Sequence, residues 1–333
     1  MDCRFSVVLP VYNGASYVGT AVRSILDQTF ADFELVVLDN CSDDGTAAIV
    51  AAAAGGDPRV RLLGSDSVRS MEQNWDRARQ LCAGSEIRGE FLTLIGHDDL
   101  LLPGFLQTIS DLIRACPQAR LYQTHFRIID GSGQVRRRCR PIPLRESAAG
   151  YFRARCWGMR DSFGTGQVFR RQDYLACGGI PQYPRLLYAD DMLWLKLLGE
   201  HGEMACSEQV CFEYRLHDNN TSSIATTAAY QASLAALRMF VEEIDAQLPW
   251  LLDGEMNRAG LKLRLTSALR EIEKGSYRLG FDPALVNDDW TALAARHDRL
   301  GQWLNDPSDV PLTLRPRRLK RALHALRRWR RGR

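Results

Sequence analysis

The sequence predicts an α/β fold: a mostly parallel sheet with helices on both faces, followed by a helical C-terminal region. Three observations predict it. Short apolar runs alternate with helix-periodic segments through the first 125 residues. Polar residues stand where the strand-like runs end. Beyond residue 125 the alternation fades and longer amphipathic segments take over.

"FSVVLP" (5–10) reads as a strand, and "SYVGTAVRSILDQ" (16–28) as a helix through Val18, Val22, Ile25 and Leu26. "FELVVLD" (33–39) is a second strand, and "DDGTAAIVAAAA" (43–54) a helix for which Asp43 or Asp44 is a candidate cap. "VRLLG" (60–64) and "MEQNWDRARQLC" (71–82) repeat the pattern. "EFLTLI" (90–95) is a fourth strand, bounded by glycines, and "PGFLQTISDLIRAC" (103–116) is a helix opened by Pro103. "RIIDGSGQV" reads as a hairpin, and 136–150 as a basic, proline-rich surface loop. "DMLWLKLLGEHG" (191–202) has helical spacing and a glycine stop, and two amphipathic helices follow, the second over 257–275. In open parallel sheets ligands bind outside the carboxyl ends of the strands. Tyr12 and Asn13, Asp39 and Asn40, and His97 to Asp99 are therefore expected to converge on one crevice.

A chain of 333 residues buries a full core, and 45% hydrophobic with 25% charged residues is ordinary for a globular protein. No uncharged apolar stretch reaches about 18 residues, and the first residues lack a signal-peptide layout, so the expectation is a cytoplasmic protein. Nine scattered cysteines without a C-x-x-C pair read as reduced thiols. His201, Cys206, Cys211 and His217 have no spacing known for a structural zinc site, and core cysteines beside unrelated histidines are the plainer reading. The net charge of +3 hides an asymmetry: the last 19 residues carry nine Arg and one Lys and no acid, leaving 33 basic against 40 acidic residues elsewhere.

There is no G-x-x-x-x-G-K-[ST] phosphate loop, no G-x-G-x-x-G after the first strand, no G-x-S-x-G elbow and no H-E-x-x-H. Five ordered pieces are present instead: residues 6–46, "NWDRA" (74–78), "GHDDLLLPG" (96–104), "DDMLWLKL" (190–197) and "YRLHDNNTS" (214–222). Together they resemble the inverting family-2 glycosyltransferases of the GT-A fold. The resemblance implies a GT-A domain over 1–222, with a nucleotide-binding half at about 1–125 and an acceptor half at about 126–222. A helical region over 223–310 and a basic tail over 311–333 follow.

By that resemblance Pro10, Tyr12 and Asn13 contact the nucleotide base, Asp39 with Asn40 beside it hydrogen-bonds the base, and Asn74 lies near the nucleotide. A turn-forming aspartate is the plainer reading of Asp39. "HDD" takes the place of the family's D-x-D motif: Asp98 on the ribose side, Asp99 on a divalent cation, Mn²⁺ or Mg²⁺, that neutralises the diphosphate. His97 departs from the pattern, standing on the nucleotide side where an acid is usual. A capping turn before Pro103 is the plainer reading of the two aspartates. His217 matches a histidine that reaches the diphosphate or its metal. The catalytic base comes from Asp190 and Asp191; alignment on Leu193-Trp194 picks Asp190, which is preferred, and alignment on the pair picks Asp191. Gly166, Gln167 and Trp194 are further candidates on the acceptor side. Solvated carboxylates at a helix start and an ordinary loop histidine are the plainer readings of these last sites.

The expected partners are a nucleotide-sugar donor, with uridine diphosphate favoured, and a glycan or lipid-linked acceptor, as in cell-surface polysaccharide synthesis. In the tail, Leu319, Leu323, Leu326 and Trp329 fall on one side of a helix surrounded by arginines. Such a helix suits an anionic membrane surface, so peripheral attachment to the cytoplasmic face of the inner membrane is expected. No part resembles a nucleic-acid-binding module. The rival from another class is a non-catalytic nucleotide-sugar or polyanion-binding module.

Overall fold

The structure is a computed structural model that describes residues 4–217, 227–254, 256–261, 264 and 265. All of them fall within one compact unit, Met1–Phe281. The tail and most of the 257–275 helix lie outside the described residues.

β1 (Phe5–Val11) is buried along its whole length, as an interior strand of the sheet must be. It pairs in parallel with β2 (Phe33–Asp39) on one side and, on the other, with β4 (Phe91–Leu94). β3 (Val60–Leu63) extends the parallel sheet beyond β2. This register brings Val11 opposite Asp39, so the polar residues after β1, β2 and β4 leave the sheet at one edge. Alternate residues Phe5, Val7, Leu9 and Val11 pack with α1 (Val18–Leu26) and α4 (Phe105–Ala115) in one apolar core. α3 (Met71–Ala83) covers β1 from elsewhere, and α2 (Thr46–Ala54) packs on α1.

The second half is more mixed than the sequence suggests. β6 (Leu121–Asp130) is joined to β4 through β9 (Gln167–Arg170), which is antiparallel to both. The long β10 (Glu203–Leu216) runs parallel to β6, and β5 (Leu100–Leu101) lies antiparallel against its end. The expected hairpin is present as β6 and β7 (Val135–Arg138). The stretch 136–150, expected as a loop, instead contributes β7, β8 (Arg145–Ser147) and the start of α5 (Ala148–Cys156). Pairing with β6 and β10 supplies backbone partners that its proline-rich composition did not announce. α6 (Arg171–Ala176), α7 (Ala189–Leu198) and α8 (Thr227–Gln247) follow, with short 3-10 turns at Pro184–Leu186 and Pro249–Leu252 and helical residues at 256–261, 264 and 265. Neither Asp43 nor Asp44 caps α2 as expected, since its N-cap is Gly45 in a left-handed conformation. No helix among the described residues is long and apolar enough to cross a membrane, and their eight cysteines are free.

Near the start of β2 a buried charge, Glu34, lies among apolar neighbours. Glu34 accepts hydrogen bonds from Ser6 Oγ, Arg88 N and the Arg88 guanidinium, and pairs with Arg61. Burial pushes its carboxyl up, but these donors outweigh it and hold it below the ordinary value. Beside it, Gly89 N donates to Ser6 Oγ and starts β4 against β1. A Cβ at Gly89 would stand 2.6 Å from the carbonyl carbon of Phe5, a clash with backbone that cannot swing aside. Gly89→Ala is therefore expected to cost about 2 kcal/mol and lower the thermal midpoint by several degrees. A melt indistinguishable from wild type would contradict this reading of the β1–β4 contact.

Candidate active site

A cleft of about 1230 Å³ opens where β1, β2 and β4 end. Pro10, Tyr12, Asn13, Asn40, Asn74, His97, Asp98, Asp99, Asp190 and His217 all line it, so ten of the fifteen candidates share one cavity, and Gly166 does not line it. Asp39 and Asp191 are buried behind it.

The loops after β1 and β2 hold one another. Asn13 N donates to Ser42 Oγ, Asp43 N to Asn13 Oδ1, Gly14 N to Thr46 Oγ1 and Ala15 N to Asp44 Oδ2. Asn13 adopts φ +48°, a conformation that asparagine tolerates better than most residues. Tyr12 is left 46% exposed at the cleft mouth, a flat apolar surface suited to a base. The Asp39 carboxylate accepts from Ser42 Oγ at 2.6 Å and Ser42 N at 3.3 Å, the local turn contact weighed in the sequence. Asn40 clasps the backbone of Arg69 through both amide atoms, and Asn74 accepts from Arg77, whose guanidinium also reaches the carbonyls of Asp39, Leu63 and Gly64. Asn40 and Asn74 thus fix the loops that shape the side of the cleft expected to take the nucleotide.

At the exit of β4 the two aspartates differ. Asp98 is half-buried, and its Oδ2 lies 2.9 Å from His217 Nε2. Asp99 is 1% exposed, accepting from Arg215 N at 2.9 Å and Thr165 Oγ1 at 2.7 Å. Burial, reinforced by the Asp98 charge, pushes the Asp99 carboxyl well above its ordinary value. Arg215 also donates to the carbonyl of Asp98 and lies 4.7 Å over the Tyr17 ring, which stacks on His217. His97 has a steric explanation. Its ring rests against the loop after β1, where a Cβ at Gly14 would meet it at 2.7 Å. Burial pushes it towards the neutral imidazole.

The residues fit a divalent cation in part. No group of three or more His, Cys, Asp or Glu side chains among the described residues forms a metal cage. A half-buried carboxylate touching an imidazole, beside a buried carboxyl that is costly to ionise, is nonetheless an oxygen-rich partial site. Mg²⁺ and Mn²⁺ commonly complete such a site with phosphate oxygens and water.

Across the cleft, α7 begins at Tyr188, whose φ is +62°, and presents the second acid pair. Asp191 is enclosed: it accepts from Arg155 at 2.6 and 2.9 Å and from Tyr151 OH at 2.7 Å, and it pairs with Arg264. Burial alone would raise its carboxyl, but the Arg155 and Arg264 charges overcome that and hold it far below the ordinary range. Asp190 is partly open to the cleft. Burial and then the Asp191 charge push it up to about 6. Phe163 and Tyr214, stacked with centroids 3.5 Å apart, also line the cleft. Gln167 and Trp194, read as acceptor-side candidates, are fully buried and lie outside the cleft lining. They face the core because β9 and α7 turn those positions inward, where Trp194 packs on Phe169.

Sequence reasoning missed Tyr151, Arg155, Thr165, Arg215 and Arg264. No local spacing marks them, since their acidic partners lie 36 to 116 residues away. The zinc reading of His201, Cys206, Cys211 and His217 finds no cluster among the described residues.

The glycosyl transferase family 2 model matches residues 6–176, which carry β1 to β4 and both loops of the nucleotide side. Chondroitin synthase from Escherichia coli is 27% identical over 227 residues, covering 65% of this chain and 29% of that protein. The matched segments make up about a third or less of the curated relatives' length. Among solved structures, residues 1–349 of TarS from S. aureus with UDP-GlcNAc superpose with a TM-score of 0.62 at 15% identity, covering 90% of this chain and 81% of that one. A mannosyltransferase from Pyrobaculum calidifontis with GDP-Man and Mn²⁺ gives 0.53 at 17% identity, covering 91% and 84%. The architecture is that of the GT-A glycosyltransferases, and the chain belongs to glycosyl transferase family 2.

Proposed function

We propose that the chain is an inverting glycosyltransferase, moving a hexosyl group from a nucleoside diphosphate, UDP favoured, to a hydroxyl of a glycan or lipid-linked saccharide. The observation that carries this reading is the asymmetry of the α7 acid pair. Asp191 has both oxygens occupied by Arg155, Arg264 and Tyr151, whereas Asp190 faces the cleft with its carboxyl raised to about 6. A general base works best when its pKa lies near the working pH. Asp190 takes the proton of the acceptor hydroxyl, whose oxygen attacks the anomeric carbon opposite the departing diphosphate. Tyr12, Asn13 and Asn40 bound the nucleotide side, while Asp98, His217 and Asp99 would hold Mn²⁺ or Mg²⁺. When bound, that ion neutralises charge on the diphosphate. The UDP preference draws support from the TarS complex with UDP-GlcNAc, and the metal from the Mn²⁺-bound mannosyltransferase. A role in cell-surface polysaccharide synthesis draws support from the chondroitin synthase likeness. The arginine-rich tail supports a cytoplasmic enzyme held peripherally at an anionic membrane face.

The base assignment predicts that Asp190→Asn lowers turnover by at least about 10²-fold with little change in UDP affinity. Because the folded carboxyl lies above the ordinary value, kcat/KM should rise with pH and level off above about 6. Near-wild-type turnover of Asp190→Asn across a panel of nucleotide sugars with Mn²⁺ would refute the base. No transfer or hydrolysis of any donor by the wild type would remove the enzyme reading.

Asp99 yields a stability prediction. A carboxyl raised in the folded state disfavours folding as pH climbs above its unfolded value of about 4. Asp99→Asn keeps an acceptor for Arg215 N and offers Thr165 a donor. In EDTA it should melt a few degrees above wild type near pH 7, the difference closing near pH 4, while activity is lost. A lower melting point at pH 7 would show that the ionised carboxylate is stabilising. For the tail, removal of residues 315–333 should abolish flotation with anionic liposomes at low salt; equal flotation of both forms would end the membrane proposal.

A further inference from the structure

The family match ends at residue 176, yet the buried acid on α7 draws one of its two arginines from the C-terminal region. Arg264 pairs with Asp191 and is 15% exposed. Its guanidinium also lies 5.4 Å over Tyr188, which begins α7, and 5.5 Å over Phe240 of α8. The segment that carries it is seated by a separate contact. Trp157, at the end of α5, donates from its indole nitrogen to the Met256 carbonyl at 3.1 Å. Gly260 is pressed on the same ring, where a Cβ would stand 2.6 Å from Trp157 Nε1. The helical residues 256–261 and 264–265 therefore have a fixed docking place against α5, and Arg264 projects from it to α7.

Counting charge shows what Arg264 adds. Asp190 and Asp191 on α7 face Arg155 on α5 and Arg264, with the phenols of Tyr151 and Tyr214 also turned towards them. With Arg264 present, this buried group is neutral when Asp190 is ionised. Without it, the ionised group carries a net negative charge in a place shielded from water, which is unfavourable.

We propose that Arg264 is a positioning residue for the transfer reaction, supplied by the C-terminal region, which keeps the cleft-facing Asp190 ionised by balancing Asp191. The proposal rests on Asp190 being the base, as argued above. It also makes the base depend on docking of a segment outside the matched family region.

The test follows the Asp190 carboxyl itself, in the full chain without substrate. Carbon-13 NMR of labelled aspartate gives its titration midpoint, the Asp190 signal being assigned by its absence in Asp190→Asn. Arg264→Met should raise that midpoint by about one pH unit, the low end for loss of one close opposite charge. Arg264→Lys should stay nearer the wild type. Gly260→Leu, which forces the segment off Trp157, should move the midpoint in the same direction as Arg264→Met. An unchanged midpoint in Arg264→Met, or an equal rise in Arg264→Met and Arg264→Lys, overturns the proposal. If Arg264→Met does not fold, Arg264→Gln replaces it with the same outcomes; failure of both while Arg264→Lys folds assigns Arg264 to structure alone and also overturns it. Turnover by Asp190→Asn separately judges the base, so the two ideas can fail independently.

Discussion

Two adjacent acid pairs, Asp98 with Asp99 and Asp190 with Asp191, stand at one cleft, and the cost of burying carboxylates governs what surrounds them. Asp99 meets that cost with a backbone amide and a threonine hydroxyl, and its carboxyl stays raised. Asp98 stays half-buried beside His217. Asp191 takes two arginines and a tyrosine and is driven the other way. Asp190 receives no such enclosure and is left responsive to pH. The buried arginines, the β9 insertion that brings Thr165, and the docking of the C-terminal segment are consequences of placing these acids together.

The sheet supplies the geometry and the loops supply the tolerance. Parallel pairing of β1 with β2 and β4 aligns three strand ends, so three short polar sequences reach the same crevice. The reciprocal bonds between the loops after β1 and β2 keep Tyr12 outward without any strand to support it. Arg215 plays the matching part on the other side. Three carbonyls, of Asp98, Asp130 and Gly131, receive its guanidinium, so the end of β10 is tied to the exit of β4.

The first half of the fold was legible because its strands are short apolar runs separated by helices of regular period. Right-handed crossovers between parallel neighbours then limit the strand orders open to it. β9 was not legible: four residues pairing antiparallel on both sides leave no periodicity of their own. The same limit applies to the site. Asp98, Asp99, Asp190 and Asp191 are visible as adjacent acids, and a shared cleft follows from the topology. Their partners are not visible, because Arg155 and Arg264 reach Asp191 from 36 residues before it and 73 after it. Nor does sequence distinguish Asp190 from Asp191. Which of two neighbours faces the cleft depends on the helix starting at Tyr188, a residue in a left-handed conformation that its identity does not advertise.

That start has a mechanistic consequence. Consecutive residues at the first turn of a helix point about 100° apart, and here Asp190 turns to the cleft while Asp191 turns into the protein. The inward one must be neutralised, or its charge would keep its neighbour protonated. Two arginines pair with Asp191, which is the balance the proposed base requires. Environments that push paired carboxyls apart in acidity mark the working one as the less compensated of the two. The Phe163–Tyr214 stack lines the same cleft as this acid and the Asp98–His217 pair, so the proposed proton acceptor and the proposed diphosphate site share one aromatic-lined cavity. The proposed inverting displacement needs both in reach of one anomeric carbon, since the attacking oxygen enters on the face opposite the departing diphosphate.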